Sequence, residues 1–208
     1  MLPLQIGILA LQGDVSAHKI TLESLGAQVK LVRAPADLEA LDGLIIPGGE
    51  STVISRLCER YELFEPLRTS IGAGLPTLGT CAGLIFLSKQ MEGASRTFTQ
   101  QSLEMLDVRV ARNAYGAQID SFETELGVAG LEESVRAVFI RAPRIEGVGE
   151  GVEVLAKWQD APVVVRQGSI LALSFHPEIA GERRIHQMWL DSIQKQRELG
   201  VDASGATP

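Results

Sequence analysis

The sequence Pro-Thr-Leu-Gly-Thr-Cys-Ala-Gly-Leu, residues 76–84, joins a short apolar run to a cysteine flanked by two glycines. The run predicts a very short strand over Pro76–Gly79, and helical spacing predicts a helix over Leu84–Gln90. Between them, Gly79-Thr-Cys-Ala-Gly83 has the glycine-x-nucleophile-x-glycine spacing of a strand-to-helix elbow, in which glycines permit a sharp turn. The stretch therefore predicts an α/β fold with Cys81 at the apex of the turn.

The chain before this elbow alternates strand and helix patterns in the same way. Continuous apolar runs predict strands that are buried on both faces. The predicted strands are Leu4–Leu11, Val29–Val32 and Gly43–Ile46, and the predicted helices are Asp14–Leu25, Ser51–Tyr61 and Leu63–Ile71. Gly26 is expected to cap the first helix at its C-terminus. This order predicts a mainly parallel sheet with helices on both faces and ligands beyond the carboxyl ends of its strands.

The second half of the chain is richer in strand patterns, separated by glycines and prolines. The predicted strands are Val108–Ala111, Phe122–Val128, Ala137–Ile140, Val152–Trp158, Val163–Arg166 and Ile170–Phe175. A long amphipathic helix, about Glu182–Arg197, follows them. Since no repeat or low-complexity linker interrupts the chain, we expect one domain over residues 1–199. The small polar segment 200–208 is expected to be a disordered tail.

Composition excludes several classes of protein. The chain has 208 residues and a net charge of -7, which disfavours nucleic acid as the main partner because phosphate binding needs a basic face. No apolar stretch reaches the roughly 20 residues of a membrane helix, and no Lys/Arg cluster suggests a lipid surface. The N-terminus lacks the positive start of a signal peptide. Two cysteines are too few for a disulfide scaffold. We therefore expect a soluble cytoplasmic protein.

The elbow cysteine has two interpretations. At a helix N-terminus, backbone N–H groups favour the thiolate and can stabilise an oxyanion, so Cys81 is a candidate nucleophile. A small buried cysteine in a glycine-rich turn would have the same sequence. Cys58 lies in a helical stretch beside Leu57 and is interpreted as a packing residue.

A thiolate nucleophile needs a base and a group that orients the base. Among the three histidines, we expect His18 on the surface of the first helix and His186 half exposed on the last one. His176 instead follows a predicted strand, and in extended backbone Glu178 would lie on the same side as His176. The carboxylate could then hold the tautomer of the imidazole. A surface turn is the alternative interpretation of this His-Pro-Glu sequence.

The turn Gly48-Gly-Glu-Ser-Thr52 offers backbone N–H groups ahead of a helix. Ser51 could cap this helix, and the opening could hold a carboxylate; a capped helix without a ligand fits equally well. Arg112 and Arg141 follow strand-like runs and could bind a substrate carboxylate, or be solvated. The glycines of residues 147–151 do not form a dinucleotide fingerprint, and there is no P-loop, Cys-x-x-Cys or His-Glu-x-x-His sequence. We therefore expect no metal and no cofactor.

Six segments occur together in one order along nearly the whole chain. They are Leu9-Ala-Leu-Gln-Gly-Asp14, Leu44-Ile-Ile-Pro-Gly-Gly-Glu-Ser-Thr52, Gly79-Thr-Cys-Ala-Gly83, Arg112-Asn113, Phe139-Ile-Arg-Ala-Pro143 and Ser174-Phe-His-Pro-Glu178. In these segments the chain resembles the glutaminase subunits of pyridoxal 5′-phosphate synthase, which are class I, triad-type glutamine amidotransferases. The resemblance implies a flavodoxin-like three-layer α/β/α sandwich with a mixed, mainly parallel central sheet.

The resemblance also implies a role for each matching residue. Cys81 would attack the side-chain amide of L-glutamine to form a glutamyl thioester, His176 would transfer protons, and Glu178 would orient His176. Other implied roles are oxyanion-hole N–H groups from Gly49 and Ala82, substrate binding by Gly49, Glu50, Ser51, Arg112, Ile140 and Arg141, and partner-linked activation at Gln12.

The implied partner is a (β/α)8-barrel synthase subunit that receives the ammonia in a hetero-oligomeric complex. Because free hydrolysis wastes glutamine, we expect weak activity from the isolated chain, with the Gly48-Gly49 turn completing the oxyanion hole on docking. The family usually has arginine at position 117 and glycine at position 104, where this chain has Ala117 and Glu104. A glutaminase serving a different synthase, in histidine or nucleotide biosynthesis for example, and a non-catalytic binding module of the same fold remain alternatives.

Overall fold

The structure is a computed structural model that describes residues 2–92, 100–112 and 121–200. The strands in these ranges are β1 (Gln5–Leu9), β2 (Gln28–Val32), β3 (Gly43–Ile46), β4 (Thr77–Thr80), β5 (Ser88–Glu92), β6 (Leu106–Ala111), β7 (Ser121–Leu126), β8 (Val135–Ile140), β9 (Arg144–Val148), β10 (Glu153–Trp158), β11 (Ala161–Gln167) and β12 (Ile170–Leu173). The helices are α1 (Val15–Ser24), α2 (Ser51–Arg60), α3 (Phe64–Gly72), α4 (Ala82–Leu87) and α5 (Arg184–Glu198), with a short 3-10 helix at Pro35–Leu38.

The central sheet has seven strands in the order β10-β11-β12-β4-β3-β1-β2. Strands β2, β1, β3, β4 and β12 are parallel, whereas β11 and β10 are added antiparallel at one edge. The five parallel strands have the 2-1-3-4-5 order of flavodoxin-like folds. The predicted mixed, mainly parallel sheet is therefore confirmed.

Helices cover both faces of this sheet because its strands are apolar on both faces. In β3, Leu44 and Ile46 pack on the side of α2, α3 and α4, whereas Ile45 packs on the side of α1 and α5. Successive side chains of a strand point to opposite faces, so a continuous apolar run serves two cores. The predicted three-layer arrangement is confirmed.

Two smaller sheets extend these layers. Strands β5, β6 and β9 form one sheet, whose buried residues join the core on the α2–α4 side. The antiparallel pair β7–β8 joins the core on the α1–α5 side. The pair ends at Ile140, which brings the following residues to the mouth of the cavity described below.

The predicted helix over Leu84–Gln90 is wrong in its second half. The helix ends at Leu87, and the chain enters β5 at Ser88, whose hydroxyl donates to the carbonyl of Ile85 at 2.7 Å. Parallel pairing with β6 then satisfies the backbone that a longer helix would have used. Strand β9 was missed, since Gly147 within it and the glycines that follow it obscured the strand pattern; it pairs antiparallel with β6.

The other predicted elements are present, with ends that differ by a few residues. Gly26 follows α1 with φ +84°, as expected of a glycine that ends a helix. Residues 201–208 of the predicted tail, together with Ala117, lie outside the described residues. Across the described parts of the chain, every helix is too short or too polar to cross a membrane.

Candidate active site

The carboxyl ends of four parallel strands converge on one cavity. The chain leaving β1 supplies Gln12, β3 leads to Gly49, β4 to Cys81 and β12 to His176. The cavity has a volume of about 310 Å³ and is lined by Gln12, Asp14, Gly49, Glu50, Ser51, Cys81, Ala82, Ile85, Arg112, Ile140, Arg141, His176 and Ile179. Apart from Glu178, which lies behind His176, all predicted site residues line it.

The elbow is built differently from the prediction. The left-handed backbone falls on Cys81 itself, with φ 48° and ψ -102°, and its N–H donates to the carbonyl of Leu173 at 2.8 Å. The two glycines instead allow close packing. A Cβ at Gly83 would lie 2.0 Å from the carbonyl oxygen of Ile46, and one at Gly79 would lie 2.6 Å from Leu87 Cδ1. Strain at a single non-glycine residue is typical of functional sites.

The two cysteines have different surroundings. Cys81 is 6% exposed, faces the cavity, and has its Sγ 4.0 Å from the carbonyl oxygen of Ile140. Cys58 is completely buried among apolar side chains of the α2–α4 core, and burial raises the pKa of its thiol to about 12. The interpretation of Cys58 as a packing residue is confirmed.

His176 and Glu178 lie side by side, as the extended backbone predicted. Nδ1 of His176 and Oε1 of Glu178 are 2.8 Å apart, and the two residues are only 4% and 6% exposed, which excludes a surface turn. Burial lowers the pKa of His176, but its hydrogen bonds with Cys81 and Glu178 and the charges of both outweigh burial and raise the pKa to about 10. The imidazole is therefore poised to be charged beside the cysteine sulfur.

Asp14 is a second carboxylate beside this imidazole, with Oδ2 at 3.5 Å from His176 Nδ1. Asp14, His176 and Glu178 offer ligand atoms that all lie within 4.8 Å of one another. A metal ion held there would have to displace the hydrogen bond between His176 and Glu178, and with it the contact that orients the ring. The arrangement suits an oriented base better than a metal ligand set.

The predictions for the other two histidines are wrong. Both His18 and His186 are fully buried, with His18 Nδ1 at 2.9 Å from His186 Nε2. Burial lowers the pKa of His18 well below its usual value, and the charges of His186 and His176 lower it further. Burial also lowers the pKa of His186, to about 4, although the backbone carbonyl and carboxylate of Glu182 oppose this effect.

The Gly48-Gly49 turn is held on three sides. The N–H of Gly48 donates to Thr80 Oγ1 at 3.0 Å, and the carbonyl of Gly48 accepts from the N–H of Asp14 at 3.1 Å. One residue beyond the turn, the N–H of Glu50 donates to Gln12 Oε1 at 2.7 Å. A Cβ at Gly48 would lie 2.2 Å from His176 Cε1, so glycine is required by the close approach of the ring.

The N-terminus of α2 carries the charged end of the cavity. Its cap is Glu50, which accepts from the N–H of Thr52 at 3.3 Å, so the expectation that Ser51 caps the helix is wrong. Arg112 donates to Glu50 Oε1 at 3.2 Å and to Gln100 Oε1 at 2.8 Å. The negative Glu50 and the positive Arg112 therefore lie next to each other at this edge of the cavity.

Gln100 and Asp14 are site residues that sequence reasoning missed. The buried Gln100 oxygen accepts from Arg112 and from Ser51 Oγ at 3.2 Å, and thereby links β6 to α2. No local pattern marks Gln100. Asp14 follows Gln12 closely at the end of a parallel strand, which was a usable signal. Arg141, with φ 42°, lies at the exposed rim of the cavity.

The sequence model of the SNO glutamine amidotransferase family matches residues 8–195. The chain belongs to this family. This chain is 47% identical over 192 residues to the pyridoxal 5′-phosphate synthase subunit PdxT of Thermosipho africanus, and the match covers 92% of this chain and 100% of the relative. It is 51% identical over 191 residues to PdxT of Frankia alni, covering 91% of this chain and 95% of the relative.

Solved structures agree with this assignment. A crystal structure of a glutamine amidotransferase superposes with a TM-score of 0.85 at 47% identity, covering 91% of this chain and 98% of the other. The structure of PurLQS from Thermotoga maritima superposes with a TM-score of 0.67 at 17% identity, covering 93% of this chain and 100% of the other. The second likeness shows the shared fold alone.

Proposed function

We propose that this chain is the glutaminase subunit of a pyridoxal 5′-phosphate synthase and that Cys81, His176 and Glu178 hydrolyse L-glutamine to L-glutamate and ammonia. The observation that carries the proposal is the 2.8 Å contact between His176 and Glu178 beside a cysteine in the same cavity. The SNO family match and the PdxT relatives support the choice of reaction and of synthase.

The reaction begins with transfer of the Cys81 thiol proton to His176. A charged imidazole beside the sulfur stabilises a thiolate by Coulomb attraction. The sulfur attacks the side-chain amide carbon, forming a C–S bond and an oxyanion. Collapse of this intermediate breaks the C–N bond, and His176 returns the proton to the departing ammonia.

The second half of the reaction releases glutamate. Water attacks the glutamyl thioester and His176 accepts a proton from that water. The C–S bond then breaks, and His176 returns this proton to the Cys81 sulfur, which regenerates the thiol. Glu178 stabilises the imidazolium form in both halves and keeps Nδ1 of the ring occupied, which leaves Nε2 for the sulfur and the leaving group. The N–H groups of Gly49 and Ala82 are the proposed donors to the oxyanion.

The charged edge of the cavity matches the zwitterionic end of glutamine. The carboxylate of Glu50 is proposed to receive the α-ammonium group and Arg112 the α-carboxylate, with Ser51 and the Ile140-Arg141 backbone beside them. Arg112 and Glu50 already pair at 3.2 Å, and the substrate would exchange this pair for two complementary contacts.

Gln12 is proposed to link activation to the partner. Its Oε1 holds the N–H of Glu50, one residue after the Gly48-Gly49 turn, so a partner that moves Gln12 would release the turn. The partner is proposed to be a (β/α)8-barrel synthase subunit that receives ammonia in a hetero-oligomeric complex in the cytoplasm. The expectation of weak activity from the isolated chain stays a prediction.

The decisive experiment measures glutamate release from glutamine, with and without the synthase subunit. We expect the synthase to stimulate release, and Cys81→Ala to lower the stimulated rate by on the order of 10³-fold or more. Cys58→Ala is the matched control, because Cys58 is buried in the core away from the cavity.

Three outcomes would contradict parts of the proposal. Glutamate release that survives Cys81→Ala would reject Cys81 as the nucleophile. Stimulation by a different synthase and none by the pyridoxal phosphate enzyme would assign the glutaminase to another pathway. Reaction of Cys81 with a glutamine-mimicking electrophile no faster than free cysteine, with the partner present, would indicate a binding module.

A further inference from the structure

His18 contacts both halves of the proposed machinery from behind. Its ring, on α1, is fully buried. Its Nε2 lies 3.2 Å from Thr80 Oγ1 and 3.6 Å from Glu178 Oε1. Thr80 in turn accepts the N–H of Gly48, while Glu178 holds His176. One buried side chain therefore lies between the group that holds the base and the group that holds the oxyanion turn.

We propose that His18 is a positioning residue for the glutaminase reaction, holding the Thr80–Gly48 contact in its working arrangement and packing behind Glu178 as a neutral ring, and that His186 orients His18. The inference rests on the proposed function of Cys81. It assigns a role to two buried histidines that take no direct part in the chemistry.

The hydrogen bonds around His18 favour one direction of proton donation, from Thr80 to His18 and from His18 to His186. Because Gly48 donates its N–H to Thr80 Oγ1, the hydroxyl proton of Thr80 is available for His18 Nε2. The other ring nitrogen of His18 can then donate to His186 Nε2 at 2.9 Å. Because His186 Nε2 then accepts, the proton of the His186 ring lies on Nδ1, an atom that has no hydrogen-bond partner in the described part of the chain. Each ring is neutral in this arrangement.

Neutrality of His18 matters for Glu178. The same carboxylate oxygen of Glu178 lies 2.8 Å from His176 Nδ1 and 3.6 Å from His18 Nε2. A charged ring at the longer distance would compete with His176 for this carboxylate and repel the imidazolium. Burial and the neighbouring histidines keep His18 neutral by lowering its pKa. Glu178 is thereby left to stabilise the charge of His176.

Two amide substitutions separate the two edges of the His18 ring. In His18→Gln the amide reaches the position of Nε2, facing Thr80 and Glu178. In His18→Asn it reaches only the position of Nδ1, facing His186. With the synthase subunit present, we expect His18→Gln to keep kcat within about fivefold, and His18→Asn to lower kcat by about tenfold to a hundredfold. We expect KM for glutamine to stay within about threefold in both variants, because His18 does not line the cavity.

A pH profile distinguishes positioning from simple stability. The rate of Cys81 alkylation by iodoacetamide, followed by mass spectrometry of the Cys81 peptide, reports the thiolate–imidazolium pair. We expect the basic limb of the pH profile of Cys81 alkylation to move to lower pH by about half a unit to one unit in His18→Asn. In His18→Gln this limb should stay in place. Leu22→Ala is the matched control, since Leu22 is buried on the same helix, does not line the cavity, and its truncation is expected to lower Tm.

The inference is overturned if both amide variants lose kcat in proportion to their loss of Tm while the alkylation profile stays unchanged. If neither His18 variant folds by circular dichroism, His186→Gln is used instead. An unchanged profile in folded His186→Gln would also overturn the inference. Loss of activity in Cys81→Ala together with wild-type behaviour of the His18 variants rejects the role of His18 alone. Activity that survives Cys81→Ala rejects the proposed function itself.

Discussion

His176 and His18 approach the same carboxylate oxygen of Glu178, at 2.8 Å and 3.6 Å, yet their pKa values move in opposite directions. Both rings are buried, and burial lowers the pKa of each. At His176, hydrogen bonds with Glu178 and Cys81 outweigh burial and raise the pKa to about 10. At His18, Glu178 lies beyond hydrogen-bond distance, and burial followed by the charges of His186 and His176 lowers the pKa well below its usual value.

The comparison shows that hydrogen bonds decide which histidine is charged: His176 has them with Cys81 and Glu178, whereas Glu178 lies beyond hydrogen-bond distance of His18. A hydrogen-bonded carboxylate stabilises an imidazolium far more than one beyond hydrogen-bond distance. The ring at the mouth of the cavity becomes the charged group, and the ring behind it stays neutral. The two positions should therefore respond differently to substitution, pH and unfolding.

The largest difference is expected from removing the charged ring. His176→Asn should lower partner-stimulated glutaminase activity by on the order of 10³-fold or more, because the imidazole is the group proposed to take the Cys81 proton and return it to the leaving ammonia. The measurement is glutamate release at saturating glutamine with the synthase subunit present. If His176→Asn lost no more activity than His18→Asn, the two histidines would not have the different roles assigned to them.

A smaller effect is expected from Glu178→Gln, which keeps the shape of the side chain and removes its charge. Activity should fall on the order of 10²-fold, since the imidazolium loses its stabilising partner. Because Glu178 raises the pKa of His176, its neutralisation should move the basic limb of the pH profile to lower pH. A basic limb that stays in place would show that Glu178 does not set the charge of His176.

The smallest effect concerns how the free energy of unfolding depends on pH. The contributions of His18 and His186 change with pH in the opposite direction to that of His176. The folded-state pKa of His18 and His186 is lowered, so their contribution is complete above the unfolded value near 6.5 and is lost as pH falls below it. For His186 the loss continues down to about pH 4. His176 has a raised pKa, so its contribution is complete below about 6.5 and is lost as pH rises towards 10.

Each buried neutral histidine should therefore lower the free energy of unfolding by up to about 1.4 kcal/mol per pH unit below pH 6.5. Denaturant unfolding of the wild type and of His186→Phe, between pH 6.5 and 5, measures the difference. We expect the variant to lose stability more slowly with falling pH by about that amount per unit. Equal slopes would mean that His186 is protonated in the folded chain.

The two histidines whose burial was predicted wrongly from the sequence are His18 in α1 and His186 in α5. In α1, His18 is buried together with Thr21 and Leu22, three and four residues further on, whereas Ile20 is 68% exposed. The spacing of His18 and Leu22 was therefore a local signal that His18 lies on the buried face of the helix. In α5 a signal was present, because His186 precedes Trp189 and Leu190 by three and four residues and shares their buried face.

The sequence by itself determined the parallel strands, the cysteine elbow and the pairing of His176 with Glu178, since each depends on spacing within a few residues. Tertiary structure alone decided the contacts of His18, which lies behind the cysteine elbow and the His176–Glu178 pair. The contacts of His18 with Thr80, Glu178 and His186 join residues 62 to 168 positions apart. Such contacts form only when a helix packs on a sheet, and burial then sets the charge of the ring. No local pattern encodes contacts across that distance.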